Sequence, residues 1–186
     1  MKKIVVAITG ASGSIYAKTL IEELQKNINQ INDVAVVFSK NAKDVWAYEL
    51  DQFDNSKIPF KIYDYQDFFA PFASGSSTYN YMVVCPCSMG TLAKISNGIA
   101  DNLITRAADV MLKENKNLII VPREMPYNLI HLENMKKVML AGAKICPASP
   151  SFYSKPQTKE EIVKTVIDKI LNLLKINRKT FHWSEN

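Results

Sequence analysis

The feature that most constrains this chain is a repeated alternation of short, continuous apolar runs with longer segments of helical period. The apolar runs are residues 4–8, 34–38, 82–85 and 118–121. Runs of this length without polar alternation suit strands buried on both faces of a parallel sheet. Residues 144–146 give a weaker fifth run, and residues 60–63 an edge piece. Between them, residues 15–26, 42–50, 101–115, 129–141 and 159–174 place apolar side chains at helical spacing. Alternation at this spacing predicts an α/β fold: a single-domain, doubly wound (Rossmann-like) parallel sheet flanked by helices, with right-handed crossovers. The 186 residues suffice for one such domain and are too few for two. The domain is read as residues 1–176 and the remainder, 177–186, as a C-terminal tail.

Composition excludes several classes. Lysine and arginine outnumber the acids by 23 to 18, but the excess is scattered and forms no basic run interleaved with aromatics. No nucleic-acid partner is therefore expected. No stretch of 18 apolar residues is present, so no membrane span is expected either. Lys2 and Lys3 precede an apolar run that stops after Ile8 without a small-residue cleavage site, which reads as a first strand and not as a leader. Cys85, Cys87 and Cys146 make an odd count, which points to a reducing, cytoplasmic setting. Cys85 and Cys87 form C-x-C without further ligands at zinc spacing, so no metal site is expected.

Open α/β sheets bind ligands beyond the carboxyl ends of their strands. That directs attention to residues 9–14, 39–41, 86–91, 122–127 and 147–156. Gly10-Ala11-Ser12-Gly13-Ser14 follows the first strand and opens the first helix. Two uses are open for it: a cradle in which helix-start amides and hydroxyls grip a phosphate, or a plain helix cap. Ser39 has the same two uses, as do Ser88 and Thr91, which bracket the turn Ser88-Met89-Gly90-Thr91 ahead of another helix. Residues 51–80 are the least regular and are read as a mobile loop over the site.

Arg106 and Lys113 are seven residues apart on a predicted helix, about 10 Å along its axis, which is too far to grip one phosphate. Asp109 can pair with either from its place between them. Arg123 and Glu124 stand between Pro122 and Pro126 at a strand end, where an arginine can hold a phosphate or a flat ring and a carboxyl can shuttle protons. A local ion pair is the plainer alternative. Tyr153 lies in a proline-bounded loop, and Lys169 projects at the margin of the last helix's apolar face. His131 and His182 lack a triad partner and read as structural or solvent-exposed.

Together these segments resemble the UbiX/Pad flavin prenyltransferases. The stretches that carry the resemblance are TGASGS, FSK, ASGS, the long run of residues 86–114, VPREMP, IHLENM and PSFYSKPQT. The resemblance implies that Gly10, Ala11, Ser12, Ser39, Ser88, Met89, Gly90, Thr91 and Arg123 contact FMN. It implies that Tyr153 and Lys169 hold dimethylallyl monophosphate, and that Glu124, Lys113, Arg106 and Ser12 serve the chemistry, with Ser74-Gly75-Ser76 around the same pocket. The implied product is prenylated FMN, with a ring closed across N5 and C6. It is made without a metal and serves a UbiD-type (de)carboxylase. The implied assembly is a dodecamer, with Trp183 packing over a neighbouring subunit's site. Lys169 stands where many relatives have arginine, which replaces a bidentate contact by a point charge. Two alternatives remain: a flavin-dependent cysteine decarboxylase and a non-catalytic flavin carrier. The first is disfavoured because PCSMGT and PREMPYN replace its motifs and no histidine precedes His131.

Overall fold

The computed structural model describes residues 2–50 and 52–178. In chain order these form β1 (Lys2–Ile8), α1 (Ser14–Lys26), β2 (Ile31–Phe38), α2 (Ala42–Glu49), β3 (Lys61–Tyr63) and β4 (Tyr81–Cys87). There follow α3 (Met89–Ser96), α4 (Leu103–Lys113), β5 (Asn117–Pro122), α5 (Leu129–Leu140), β6 (Lys144–Ile145) and α6 (Lys159–Leu173). The strands make one sheet in the order β3-β2-β1-β4-β5-β6, with every pairing parallel. This is the expected doubly wound α/β architecture.

The apolar runs lack polar alternation because each strand feeds two cores. Ile4, Val6 and Ile8 pack with Leu20 and Leu24 of α1, Trp46 of α2 and Ile167 and Ile170 of α6. Val5 and Ala7 pack on the other side with Leu92 of α3, Leu103, Ala107 and Met111 of α4 and Val138 of α5. Burying a side chain of this size contributes about 1.5–3 kcal/mol, so the two layers together fix the sheet.

Element ends differ from the sequence reading for local reasons. The helix expected over residues 101–115 begins at Leu103, because the buried Asn102 caps it by accepting from Thr105 N (3.1 Å). It is over by Asn115, whose φ is 51°. β4 runs past Cys85 to Cys87, which regains the ladder opposite Pro122 after a register shift. α3 starts inside the turn Ser88-Met89-Gly90-Thr91 and not after it, because Ser88 is its cap.

Residues 52–80 divide between the two edges of the sheet: Asn55, Phe60 and residues 62–66 line a cavity of about 820 Å³ with Ser39 at the carboxyl edge, whereas the later part does not lie over the crevice. Ala70, Phe72, Ala73 and Tyr79 are buried, and the 73–77 segment is tied down by Lys116, whose Nζ donates to Gly75 O (3.3 Å) and Ser77 O (2.8 Å). Lys116 immediately precedes β5, so that segment lies at the amino ends of the strands, opposite the ligand edge. Trp183 and His182 lie outside the described residues.

Candidate functional site

Neighbouring strands β2, β1, β4 and β5 end on one edge, and their carboxyl ends carry Ser39, residues 10–14, residues 88–91 and Arg123 respectively. The chain reverses its direction of winding between β1 and β4, the place where such sheets open a crevice. Thr9 holds this point together. Its Oγ1 donates to Pro86 O (2.7 Å) and accepts from Ser88 N (2.8 Å). Ser39 N donates to Ile8 O (2.8 Å) and Arg123 N to Cys87 O (3.3 Å), so all four ends are stitched to one another.

The turn after β1 needs its glycines. Gly13 has φ +106°, and a Cβ there would come within 3.0 Å of the Tyr16 ring. A Cβ on Gly10 would lie 3.0 Å from Asn41 Cβ. The same virtual Cβ at Gly13 lies 3.6 Å from Arg123 Cγ, so Arg123 rests against this turn. Arg123 Nε is buried and has no hydrogen-bond partner among the described residues. A buried guanidinium nitrogen left in this state is what an acceptor-bearing ligand satisfies.

One residue here escaped the sequence reading. Glu49, the last residue of α2, puts its carboxylate on the start of α1. Gly13 N donates to both of its oxygens (3.0 and 2.8 Å) and Ser14 N donates to Oε2 (2.7 Å). Burial pushes this carboxyl up, but hydrogen bonds from the Ser12 hydroxyl, the Ser14 and Gly13 amides and the Ser14 hydroxyl outweigh it, and Glu49 is held below its ordinary range. Two of the amides that could grip a phosphate therefore serve a carboxylate, leaving Gly10, Ala11 and Ser12 toward the crevice. The only local signal was an acid at the carboxyl end of a helix with no base in its last turn, a position the helix dipole disfavours.

At the end of β4, Ser88 Oγ accepts from Thr91 N (3.3 Å) and donates to Thr91 Oγ1 (3.1 Å), so Ser88 does cap α3. The Met89 side chain is buried in the core, so only its backbone can meet a ligand. A Cβ at Gly90 would touch nothing within 4 Å, which leaves open space at the helix start.

Arg123 and Glu124 line a pocket of about 340 Å³ with Tyr127, Ala148 and Ser149. Glu124 Oε1 accepts from Met125 N (3.0 Å), and its side chain is exposed at the mouth. Burial pushes the Tyr127 phenol up; Glu124 adds to that and Arg123 opposes it, which places all three within one electrostatic neighbourhood. Ser149 also lines an adjoining groove of about 740 Å³ that contains Lys169, Cys146 and Ser151. Tyr153 is exposed on the loop that enters α6.

Arg106 and Lys113 are not brought to this crevice. Arg106 Nε donates to Ala73 O (2.9 Å) and its Nη1 pairs with Asp109 (2.8 Å). Lys113 pairs with Glu114 (2.6 Å) against Gly75. Both therefore face the 73–77 segment, with Lys113 at the opposite end of the sheet. His131 is spent in capping: its backbone N donates to Asn128 Oδ1 (2.9 Å) and its Nδ1 accepts from Asn128 N (3.4 Å).

The donor set suits a flat, phosphate-bearing ligand. Hydroxyls of Ser39, Ser88 and Thr91 stand at two strand ends, glycines allow close backbone approach, and a guanidinium awaits an acceptor. These features define a flavoprotein, and the chain belongs to that family, whose profile matches residues 1–174. Within it the chain is a member of the UbiX flavin prenyltransferases. It is 45% identical over 181 residues to the flavin prenyltransferase UbiX of Methanocaldococcus jannaschii, covering 96% of each chain. Among solved structures it is similar to AnUbiX in complex with FMN and dimethylallyl pyrophosphate, at 38% identity and a TM-score of 0.89, covering 98% of this chain and 99% of that one. It is also similar to a dodecameric FMN-dependent UbiX-like decarboxylase from Escherichia coli O157:H7, at 36% identity and a TM-score of 0.91, with the same coverage. No helix among the described residues is long and apolar enough to cross a membrane.

Proposed function

We propose that the crevice holds reduced FMN and that the chain transfers to it a dimethylallyl group from dimethylallyl monophosphate. The observation that carries this reading is Arg123: a buried, unpartnered guanidinium nitrogen laid against the Gly13 turn, with Glu49 hydrogen-bonded to that turn and Glu124 beside it in the pocket. Gly10, Ala11, Ser12, Ser39, Ser88, the Met89 backbone, Gly90, Thr91 and Arg123 hold the flavin. Reduced flavin supplies nucleophilic N5 and C6, so the cofactor brings the difficult chemistry.

The protein orients the donor, shields its departing phosphate and moves protons. Lys169 and Tyr153 take the phosphate. Ser149, which lines both the Lys169 groove and the Glu124 pocket, supports a donor lying between them. Ring closure would need one proton delivered to the prenyl alkene and one taken from C6, and Glu124 with the released phosphate would serve as that acid–base pair. Arg106 and Lys113 complete a neighbour's crevice in a closed oligomer, a dodecamer. Exposed Leu129 (71%), Ile130 (69%) and Leu140 (80%) on α5 support burial of that face between copies. The product passes to a UbiD-type (de)carboxylase in the cytoplasm, where the three buried thiols stay reduced.

Glu124→Gln tests the reading. It keeps shape and hydrogen bonding but cannot exchange the proton, so FMN affinity stays near normal while product formation slows by about a hundredfold or more. A native rate in this variant would remove Glu124 from the proton path.

A further inference from the structure

Lys169 shares its groove with a competitor for its charge. Asp168, its neighbour on α6, is the one acidic residue among the described residues lining that groove. An Asp–Lys pair there would halve the cationic groups open to a phosphate dianion, leaving Lys144 as the one unpaired lysine among the described residues of the groove. The pair is not made: among the described residues no carboxylate bridges to Lys169. Asp168 Oδ1 instead accepts from Arg178 Nη2.

Arg178 is itself held in place. Its Nη1 donates to Glu23 Oε2 (3.2 Å), and Glu23 also accepts from Lys26 (2.8 Å). The preceding residue is locked to the turn between α1 and β2, with Asn177 N donating to Gln30 Oε1 (2.9 Å) and Gln30 Nε2 to Asn177 O (2.9 Å). The Arg178 side chain is only 10% exposed and that of Asp168 26%, so solvent and salt screen this pair less than a surface one. A guanidinium also stays charged at every working pH, so its hold on Asp168 does not titrate away.

We propose that Arg178 is a positioning residue for the donor: by holding the Asp168 carboxylate, it keeps the Lys169 ammonium available to the phosphate of dimethylallyl monophosphate. This rests on the reading of Lys169 as a phosphate contact. Steady-state prenylation of reduced FMN, with the donor varied, tests it in the full-length chain. Arg178→Met raises the donor KM about two- to fivefold with kcat unchanged, the size expected when one screened charge pair is redirected. Adding Asp168→Asn to that variant returns KM to the native value or below it. This rescue is one that a merely structural role of Arg178 would not give. Asp168→Asn alone leaves KM native or lower, and it keeps the idea testable should Arg178→Met fold poorly. A native KM in folded Arg178→Met, a raised KM that Asp168→Asn fails to restore, or a raised KM in Asp168→Asn alone overturns the proposal. Lys169→Met separates the two layers: unchanged donor KM there refutes the reading of Lys169, whereas a raised KM beside an inert Arg178→Met refutes the role of Arg178 alone.

Discussion

Replacing Glu49 by glutamine removes the charge from the start of α1 while keeping the side chain's shape. In the native chain Gly13 N and Ser14 N both donate to this carboxylate, at 2.8 and 2.7 Å to Oε2. Hydrogen bonds to a charged acceptor contribute about 1.5–3 kcal/mol and neutral ones about 0.5–1.5, so two bonds lose about 2–3 kcal/mol. Glu49 is half-buried, and screening roughly halves that figure, to about 1–1.5 kcal/mol. For a chain of this length the melting temperature then falls by about 2–6 °C at neutral pH. The pH dependence supplies the sign. A carboxyl held below its ordinary value of 4.5 stabilises the fold above that value, and the contribution is lost as pH falls through the lower folded value. Thermal melts of flavin-free protein from pH 7 to pH 3 therefore show native and Glu49→Gln curves converging at the acid end. Equal melting temperatures at pH 7, or a gap that persists undiminished at pH 3, would refute the reasoning.

Ser12→Arg should abolish flavin absorbance in purified, folded protein, because an arginine would fill the crevice and pair with Glu49; retained absorbance would move the flavin away from the Gly10–Ser12 turn. Lys113→Ala and Glu124→Gln should each be nearly inactive alone, yet regain about a quarter of native activity when co-assembled one to one, as random mixing in a closed oligomer allows. Absence of recovery in mixed assemblies that still bind FMN would place Lys113 outside a neighbour's site.

The sheet was legible because strands buried on both faces cannot alternate polar and apolar residues, and residues 4–8 and 34–38 show that directly. The ligand edge followed from topology, which put Ser39, Ser88 and Arg123 on adjacent strand ends. The start of α3 was obscured because Pro86, Ser88 and Gly90 read as loop, whereas Ser88 caps a helix that begins one residue later. Glu49 was hidden because its partners lie 35 and 36 residues away, a contact that no local spacing encodes. The same limit explains residues 52–80, where Phe72 and Tyr79 anchor an irregular segment through burial without period. Arg106 and Lys113 were legible in part: their spacing argued against one shared phosphate, and their partners in the fold are Asp109 and Glu114.

The most direct test of the account is mass spectrometry of the flavin after the purified protein is incubated anaerobically with reduced FMN and dimethylallyl monophosphate, without added metal. The account predicts conversion of FMN to a species heavier by one dimethylallyl unit, with release of inorganic phosphate. Recovery of unmodified FMN from protein that binds both molecules would contradict it and leave the chain a flavin carrier.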